Sequence, residues 1–480
     1  MDLYGELYTY SSGGNGHKEI ATVLRNRTIN SHEQSLSQEK IDQYYPMIDT
    51  MYALGKTLGD SSKNLWNYTL KKDATDEQER LFAYQGLADR VTFLPLFRQV
   101  YQQLFNMPLK PRAIINTQVI GTKAIVLAAR FYNHFRDKKF PAVKVEIWLT
   151  DFPERATHYL DPIRKLSTKD KNVLEIYTPK PALKNEMTDV AKYCGLPKKQ
   201  VHYLDANELP VNPLYHDPHL RQYSKGSECT LNIKVPHEQM KYLKTIPYLK
   251  FSPTDEKEIY SYPVKKDEIV YQCSLGSYPK QSTVLCFVKA LVALSRIAPE
   301  GKTIHAFILC GKDSEESNSL FHQVCQTLNT QKYSPRLRIV PLPFQRVSDI
   351  AITSARADKD FTGNGGASTF QQKALSANLT SSRGKPILLS HTTDLNLKEL
   401  DKKSLERTLI EQIKLWEAGN VEHLIRSIDA EITAPSLFLE LFSKDFDLDS
   451  PALPVPEIKK NKRSINTKCC SVSLPSLFSL

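Results

Sequence analysis

The sequence has few glycines and lacks a long apolar run. Glycine accounts for 18 of 480 residues, well below the average share of about 7%, while Lys, Ser and Tyr are plentiful. This composition is typical of an AT-rich genome. No run of roughly 18 apolar residues is present, so a membrane-spanning helix is not predicted. Residues 1–10 contain two acids and no Lys or Arg, which does not predict a secretory signal, and we expect a cytoplasmic protein.

The spacing of the cysteines and the net charge limit the kinds of metal, redox and ligand-binding site that the sequence predicts. None of the eight cysteines is paired as C-x-x-C, so neither a zinc knuckle nor a thioredoxin-like site is predicted. This use of cysteine is typical of a reducing compartment. Lys and Arg (64) exceed Asp and Glu (53), giving a net charge of +11. The surplus favours anionic partners such as nucleotide phosphates. Because the basic residues are dispersed, a nucleic-acid partner is not expected.

Short apolar runs alternate with helical patterns, which predicts an α/β fold of parallel sheets covered by helices. We predict a first domain over residues 1–245 with a helical insertion at 31–110, and a second over 268–445. A proline-containing stretch of mixed charge, 246–267, is the predicted linker. The predicted strands are 3–10, 113–117, 143–150, 173–177, 200–204, 268–274, 303–310, 337–341 and 386–390; the predicted helices include 122–135, 282–297, 347–356 and 405–429.

The last residues, 446–480, have a different composition. They contain several prolines, a basic cluster at 459–468 and the pair Cys469 and Cys470. We expect a solvated, flexible tail. The alternative is palmitoylation of the cysteine pair beside the basic cluster, because two such signals together give stable peripheral membrane association. With the low glycine content and the helical insertion, the tail also raises the hypothesis of a bacterial effector.

A glycine-rich turn, GGNGH at residues 13–17, follows the first predicted strand and opens a helix. Gly14, Asn15 and Gly16 permit a tight turn and close approach of a ligand. The N–H groups of the helix start favour an anion. His17 lies at the mouth of this turn and can act as a base near neutral pH. The spacing differs from the dinucleotide-binding G-x-G-x-x-G pattern.

Two further small-residue turns follow predicted strands of the second half. Residues 275–277 read LGS directly after the strand 268–274. Residues 362–375 form another loop-to-helix junction, rich in Gly, Ser and Thr, whose donors suit a diphosphate. Ligands of open α/β sheets bind beyond the carboxyl ends of the strands, and two such halves facing each other form a cleft.

Eight short motifs occur along residues 1–430 in a characteristic order. They are GGNGH at 13–17, LTDF at 149–152, LPVNP at 209–213, LGS at 275–277, FILCG at 307–311, AD at 357–358, GASTFQQ at 366–372 and GKP at 384–386. Together they resemble the GT-B glycosyltransferases, and in particular the peptidoglycan N-acetylglucosaminyltransferase and the monogalactosyldiacylglycerol synthases.

The resemblance implies two Rossmann-like domains facing a cleft and a metal-independent glycosyltransferase. The first domain would bind a lipid or protein acceptor, and the second a nucleotide-sugar, most often a UDP-sugar. His17 is implied as the general base or acceptor-site histidine. Asp151 is the second catalytic candidate; with His158 it could instead form a surface ion pair. The implied donor-binding residues are Gly14, Asn15, Gly16, Gly276, Ser277, Phe344, Arg346, Gly365, Gly366, Ser368, Thr369 and Gln372.

No metal and no cofactor besides the nucleotide-sugar are expected. Helix starts and N–H groups can stabilise a leaving diphosphate in place of a cation. His216 and His219 lack a third ligand at metal-binding spacing, so we interpret them as loop residues. The D-x-D patterns at 358–360 and 445–447 are interpreted as solvated.

Alternative functions stay open. Gln372 stands where the family has a ribose-binding Glu, and an amide lacks the hydrogen-bonding strength of a carboxylate. This favours a second hypothesis, a catalytically weakened GT-B scaffold that binds a partner or a membrane. A third hypothesis is a GT-B nucleotide-sugar epimerase, which requires paired carboxylates that the sequence does not identify.

Overall fold

The computed structural model describes two parallel β-sheets flanked by helices, with a small antiparallel sheet between them in sequence. The described residues are 4–13, 16–31, 36–72, 75–150, 157–179, 189–204, 208, 210–223, 226–279, 281–297, 301–312, 318–363, 386–389 and 422–424.

The first sheet has six parallel strands in the order β2-β1-β3-β4-β5-β6. Its chain order reverses between β1 and β3, so the ends of these neighbouring strands form a topological switch point, the place where open α/β sheets bind ligands. Thr9 of β1 lies opposite Asn116 of β3 there. The strands are β1 (Tyr4–Tyr10), β2 (Met47–Asp49), β3 (Lys110–Asn116), β4 (Lys144–Trp148), β5 (Leu174–Pro179) and β6 (Val201–Leu204).

Helices cover this sheet because their apolar side chains recur on one face. In the helix that follows β3, Ala124, Ile125, Ala128 and Ala129 are fully or almost fully buried against the sheet. The helices of this half are α1 (Gly16–Asn30), α2 (Gln38–Tyr44), α3 (Lys56–Lys72), α4 (Thr75–Asn106), α5 (Thr122–Phe135), α6 (Asp161–Arg164), α7 (Thr168–Lys171) and α8 (Val190–Cys194).

The turn into α5 requires a glycine. Gly121 has φ +80, a conformation that favours glycine, and an added Cβ would lie 2.5 Å from Leu96 Cδ2 of α4. Its N–H donates to Asp89 Oδ1 at 2.8 Å, which ties the turn to α4. The long α4 therefore packs along α5 at the sheet edge where β3 ends.

The small antiparallel sheet belongs to the core of the second half. Its strands are β7 (Cys229–Lys234), β8 (Ser252–Pro253) and β9 (Ile259–Val264), and α9 (His237–Leu243) lies between the first two. Leu231 and Tyr262 are buried in one cluster with Phe307 of the following sheet. Residues 246–267, predicted as a linker, are therefore an integral part of this core, because alternate side chains of β9 are buried. The domain boundaries themselves stay a prediction.

The second parallel sheet has the order β12-β11-β10-β13-β14-β15, the doubly wound order of a Rossmann sheet. Its switch point lies between β10 and β13. The strands are β10 (Ile269–Ser274), β11 (Ile304–Leu309), β12 (Leu337–Leu342), β13 (Lys359–Gly363), β14 (Pro386–Leu389) and β15 (Glu422–Leu424); the helices are α10 (Gln281–Ile297), α11 (Leu320–Thr330) and α12 (Val347–Arg356).

The predicted α/β class with two Rossmann-like sheets is confirmed. All nine predicted strands are present, and α5 and α12 have the predicted bounds. The prediction of a helix over residues 405–429 is wrong for residues 422–424, which form β15 and pair with β14. Within the predicted helical insertion, β2 was missed; it is a short edge strand parallel to β1.

A buried ion pair joins the end of α12 to the start of β10. The side chain of Arg356 is fully buried, and its Nη1 lies 3.1 Å from Asp358 Oδ2. The same guanidinium donates to the carbonyls of Ser227 (3.1 Å) and Glu268 (2.8 Å). The prediction that residues 358–360 are solvated is wrong, because Asp358 also accepts from the N–H of Val270 and Asp360 is buried.

Glu146 of β4 is a half-buried carboxylate. Burial raises its pKa to about 6, and the charges of Glu6 and Glu175 add to this effect, while Trp148 Nε1–H donates to it at 3.2 Å. Because the pKa is higher in the folded than in the unfolded chain, the ionised group destabilises the fold. The free energy of unfolding should therefore fall as pH rises from 4.5, the ordinary pKa of a glutamate, through about 6.

We expect Glu146→Gln to remove this loss. The free energy of unfolding of the variant minus that of the parent should be about 2 kcal/mol larger at pH 8 than at pH 4.5. One pKa unit corresponds to about 1.4 kcal/mol. A glutamine can still accept from Trp148. Urea unfolding at both pH values measures the difference, with the exposed Glu238→Gln as control. An equal effect of Glu146→Gln at both pH values would contradict the assignment.

Candidate functional site

His17 lies at the switch point of the first sheet. It occupies the first turn of α1, and its Nδ1 is 2.5 Å from the carbonyl oxygen of Thr117, directly after β3. Since a carbonyl only accepts, Nδ1 carries the proton and the neutral ring has its lone pair on Nε2. Thr150 Oγ1, beyond β4, makes a longer contact of 3.3 Å to the same Nδ1.

The residues after β3 hold this histidine in place. Thr117 Oγ1–H donates to the carbonyl of His17 (2.9 Å), while the Thr117 N–H donates to Thr9 O (3.0 Å). Asn116 is fully buried and accepts from Thr9 Oγ1 at 3.0 Å. Within the described ranges its Nδ2 has no hydrogen-bond partner. A buried donor of this kind suits an oxygen atom of a ligand.

The strands β10 and β13, which precede two of the predicted turns in sequence, are neighbours at the switch point of the second sheet. Ser274, the last residue of β10, lies opposite Thr362 of β13. The turn with Gly276 and Ser277 follows β10. Gly276 is exposed with φ +94, so its backbone is open to close approach. The helix start of α10 follows this turn and favours an anion.

The turn after β11 packs on the turn after β10. The Lys312 N–H donates to Ser277 O at 3.0 Å. Gly311 has φ +84, and an added Cβ would lie 2.4 Å from Pro279 Cδ and 2.7 Å from Ser277 O. Only glycine fits there, so this contact fixes Lys312 beside the turn that contains Gly276.

Two lysines of the first half act electrostatically on Lys312 of the second half. Burial lowers the pKa of Lys312, and the positive charges of Lys63 on α3 and Lys18 on α1 lower it further. Lys18 is the residue after His17. Helix α3 also contacts α10 and its Trp66 packs on Gly13, so it lies against both halves. Like charges held together favour an anion among them.

The loop between β12 and α12 lies beside Lys312. The ring of Phe344 is 45% exposed, and Lys312 Nζ lies 5.0 Å from its centroid. Gln345 fixes the loop backbone by accepting from Lys234 N (2.9 Å) and donating to Lys234 O (2.7 Å). Arg346 is committed to ion pairs with Asp349 (2.8 Å) and Glu256 (3.2 Å).

The segment 210–223 links the two halves near His17. Asn212 Nδ2 donates to Glu19 Oε1 of α1 at 2.8 Å. Tyr215, in a short 3-10 helix (Pro213–His216), packs with Ala351 and Ala355 of α12. Burial raises the pKa of Tyr215, and the negative charges of Asp360 and Glu19 raise it further.

The remaining 3-10 helices are Thr50–Tyr52, Thr157–Leu160, Lys198–Gln200 and Pro218–Gln222.

Of the sequence-predicted site, the structure places Gly276, Ser277 and Phe344 beside Lys312 in the second half, and Gly16 and His17 at the start of α1 in the first half. Sequence reasoning missed the three lysines as well as Asn116 and Thr117. Lys18 and Lys312 each follow a glycine-containing turn after a strand, a signal that could have found them; Lys63 has no such signal. Eight predicted residues lie outside the described part of the chain: Gly14, Asn15, Asp151, Gly365, Gly366, Ser368, Thr369 and Gln372.

The described ranges contain no group of three or more His, Cys, Asp or Glu side chains placed to hold a metal ion. None of the helices there has the length and apolar character needed to cross a membrane.

Comparison with known proteins concerns the fold alone. No family model matches the chain, and no curated protein matches its sequence. MurG of Acinetobacter baumannii is 11% identical, with a TM-score of 0.41 and 92% of each chain covered. A UDP-GlcNAc 2-epimerase from Neisseria meningitidis, bound to UDP-GlcNAc, is 9% identical, with a TM-score of 0.42 and the same coverage.

A third solved structure is the α,α-trehalose 6-phosphate synthase from Burkholderia multivorans. It is 11% identical, with a TM-score of 0.40, and the match covers 93% of this chain and 99% of that one. All three scores are low, so the argument for the fold stands on this chain's own topology. A flavodoxin-like sheet order in the first half and a Rossmann order in the second define an α/β protein with two Rossmann-like sheets.

Proposed function

We propose that this chain is a metal-independent glycosyltransferase that takes a sugar from a nucleotide-sugar, a UDP-sugar by resemblance, to a lipid or protein acceptor. The observation that carries the proposal is the turn after β10, where the exposed Gly276 lies beside Lys312: the Lys312 N–H donates to Ser277 O at 3.0 Å, and its Nζ lies 5.0 Å from the centroid of the exposed Phe344 ring. The ammonium group of Lys312 favours an anion, which a nucleoside diphosphate supplies.

The surrounding groups support a diphosphate in particular. Gly276 leaves its backbone open, and the start of α10 adds N–H groups directed towards an anion. Phe344 offers an exposed ring beside Lys312, on which a nucleobase can lie. Positive charge at the diphosphate also stabilises the leaving group as the glycosidic bond to the sugar breaks.

His17 supplies the base in this proposal. With its Nδ1–H donated to Thr117 O, Nε2 takes the proton of the acceptor hydroxyl as that oxygen attacks the sugar. The buried Nδ2 of Asn116 is a further donor at this end of the site. The roles of Asp151 and of residues 365–372 stay predictions.

The first test is nucleotide affinity without metal. Calorimetric titration of UDP, GDP and ADP in the presence of a chelator should give one preferred nucleotide. Lys312→Gln should weaken its binding about tenfold or more, because a charge-assisted contact in a partly buried site contributes about 1.5–3 kcal/mol. The matched control is Lys302→Gln, an exposed lysine of the same half.

The outcome separates the hypotheses. Weaker binding in both Lys312→Gln and Lys63→Gln supports a site between the halves, since the two lysines belong to different halves of the chain. Absence of binding for every nucleotide at millimolar concentration contradicts the proposal. Tight binding without release of diphosphate from any nucleotide-sugar favours the scaffold hypothesis instead.

A further inference from the structure

The start of α1 is held by contacts to two different parts of the chain. The ring of His17 is held against the carbonyl of Thr117, directly after β3 of the first sheet. Two residues further along α1, Glu19 Oε1 accepts from Asn212 Nδ2 at 2.8 Å, although the two residues are 193 positions apart in sequence. The helix that carries the proposed base is therefore tied both to the first sheet and to the segment 210–223.

Both polar atoms of the Asn212 side chain are in use. Its Oδ1 accepts from the N–H of Leu214 at 3.1 Å, which caps the 3-10 helix Pro213–His216. Because a backbone N–H only donates, this bond assigns the amide oxygen to Leu214 and leaves the Nδ2 donor for Glu19. Pro213 restricts the backbone at the same place, since its ring fixes φ. The amide is thus held in one orientation where it meets α1.

The same segment is attached to the second half by buried apolar contacts. Tyr215 is 4% exposed and Leu220 3% exposed, and both pack with Ala351 and Ala355 of α12. Helix α12 begins directly after the loop that contains Phe344, beside the proposed nucleotide site. One turn of 3-10 helix therefore joins the bond to α1 with the contact to α12.

We propose that Glu19 and Asn212 are positioning residues, which hold the proposed base His17 in place relative to the nucleotide-binding half. This role rests on the proposed function, in which the base and the diphosphate belong to different halves of the chain. The bond of His17 to Thr117 fixes the ring relative to the first sheet only. The bond between Glu19 and Asn212 fixes α1 relative to α12, because the segment 210–223 packs on α12. A displacement of about 1 Å between a base and the reacting atoms can cost about 10²-fold in rate.

Asn212→Asp breaks the bond to α1 and keeps the cap. The new carboxylate still accepts from the N–H of Leu214, but its second oxygen faces Glu19, and like charges in contact repel each other. The rate of UDP release is measured with saturating UDP-glucose, UDP-galactose and UDP-N-acetylglucosamine. We expect kcat to fall about 10- to 100-fold, while the affinity for UDP in calorimetric titration changes less than about threefold.

Adding Glu19→Gln to Asn212→Asp reverses the direction of the bond. The new amide donates to the new carboxylate across the same gap, and the local charge returns to that of the parent chain. This reversed pair should recover kcat to within about threefold of the parent. Gln222→Glu adds a negative charge to the same segment near His219, away from α1, and should leave kcat unchanged.

An unchanged kcat in Asn212→Asp, or a reversed pair that stays as slow as Asn212→Asp, would overturn the proposal. A loss of UDP affinity or of melting temperature that matches the loss of rate would also overturn it, because that pattern identifies a bond with a structural role alone.

A parent chain that binds UDP but releases none from the three UDP-sugars contradicts the proposed function instead. Hydrogen exchange of the first turn of α1 then decides the role of the bond. Faster exchange in Asn212→Asp that the reversed pair restores supports the link between α1 and α12. Equal exchange in the parent chain and both variants overturns it.

Discussion

His17→Asn is expected to lower the release of nucleoside diphosphate from a nucleotide-sugar by about 10²–10⁴-fold, the usual contribution of a general base. The folded structure and the nucleotide affinity should change little. The reason is that the two ring nitrogens have separate tasks. Nδ1–H holds the ring against Thr117 O, and Nε2 takes the proton in the proposed step.

Asparagine separates these tasks. Its Nδ2–H can take the place of Nδ1–H and keep the bond to Thr117 O, but it offers no basic nitrogen at the position of Nε2. The measurement is initial-rate release of diphosphate, with thermal unfolding and calorimetric titration on the same preparations. Thr150→Val, which removes the longer contact to Nδ1, is the matched control and should cost less than tenfold in rate.

The opposite pattern identifies a structural histidine. If His17→Asn retains the parent rate while His17→Ala lowers the melting temperature, the ring serves only to join α1 to β3. If the Asn variant also loses nucleotide affinity, His17 binds the donor and is not the base. Either pattern contradicts the proposed role without touching the lysine site.

The parallel strands were predictable where apolar residues dominate them. All six residues of β11 are buried and all but His305 are apolar, and such a run between helical patterns indicates a strand covered on both faces. The strands that were missed are short or polar. In β13, Lys359–Gly363, only Phe361 is a large apolar residue, and β9 was taken for a linker because its outward residues and Pro263 obscure the alternation.

The candidate site was predictable where a local signal exists. The turns after β1 and β10 combine glycine with a strand and a helix start, so His17, Gly276 and Ser277 could be found. The electrostatic effect of Lys63 on Lys312 could not be predicted from the sequence, because it depends on how α3 lies against the second half. The spacing of aromatic residues along α4 indicates a helix. The exposure of these side chains follows only from the packing of α4 against α5.

Arg356→Met is expected to lower the free energy of unfolding by about 3–5 kcal/mol, the usual effect of removing one partner of a buried ion pair. The guanidinium is fully buried, and the methionine removes this cation, which lies 3.1 Å from the carboxylate of Asp358. It also removes the donors to the carbonyls of Ser227 and Glu268, which join β7 and β10 to α12. Denaturant unfolding measures the change.

Two comparisons make this prediction specific to the buried charge. Arg164→Met removes an arginine whose side chain is 49% exposed and which pairs with Asp161 at 3.0 Å; because solvent screens that pair, the expected cost is about 0–1 kcal/mol. Asp358→Asn added to Arg356→Met removes the uncompensated charge while still accepting from Val270 N, so the double variant should regain part of the stability. A double variant less stable than Arg356→Met would show that Asp358 contributes through its backbone bond, not through its charge.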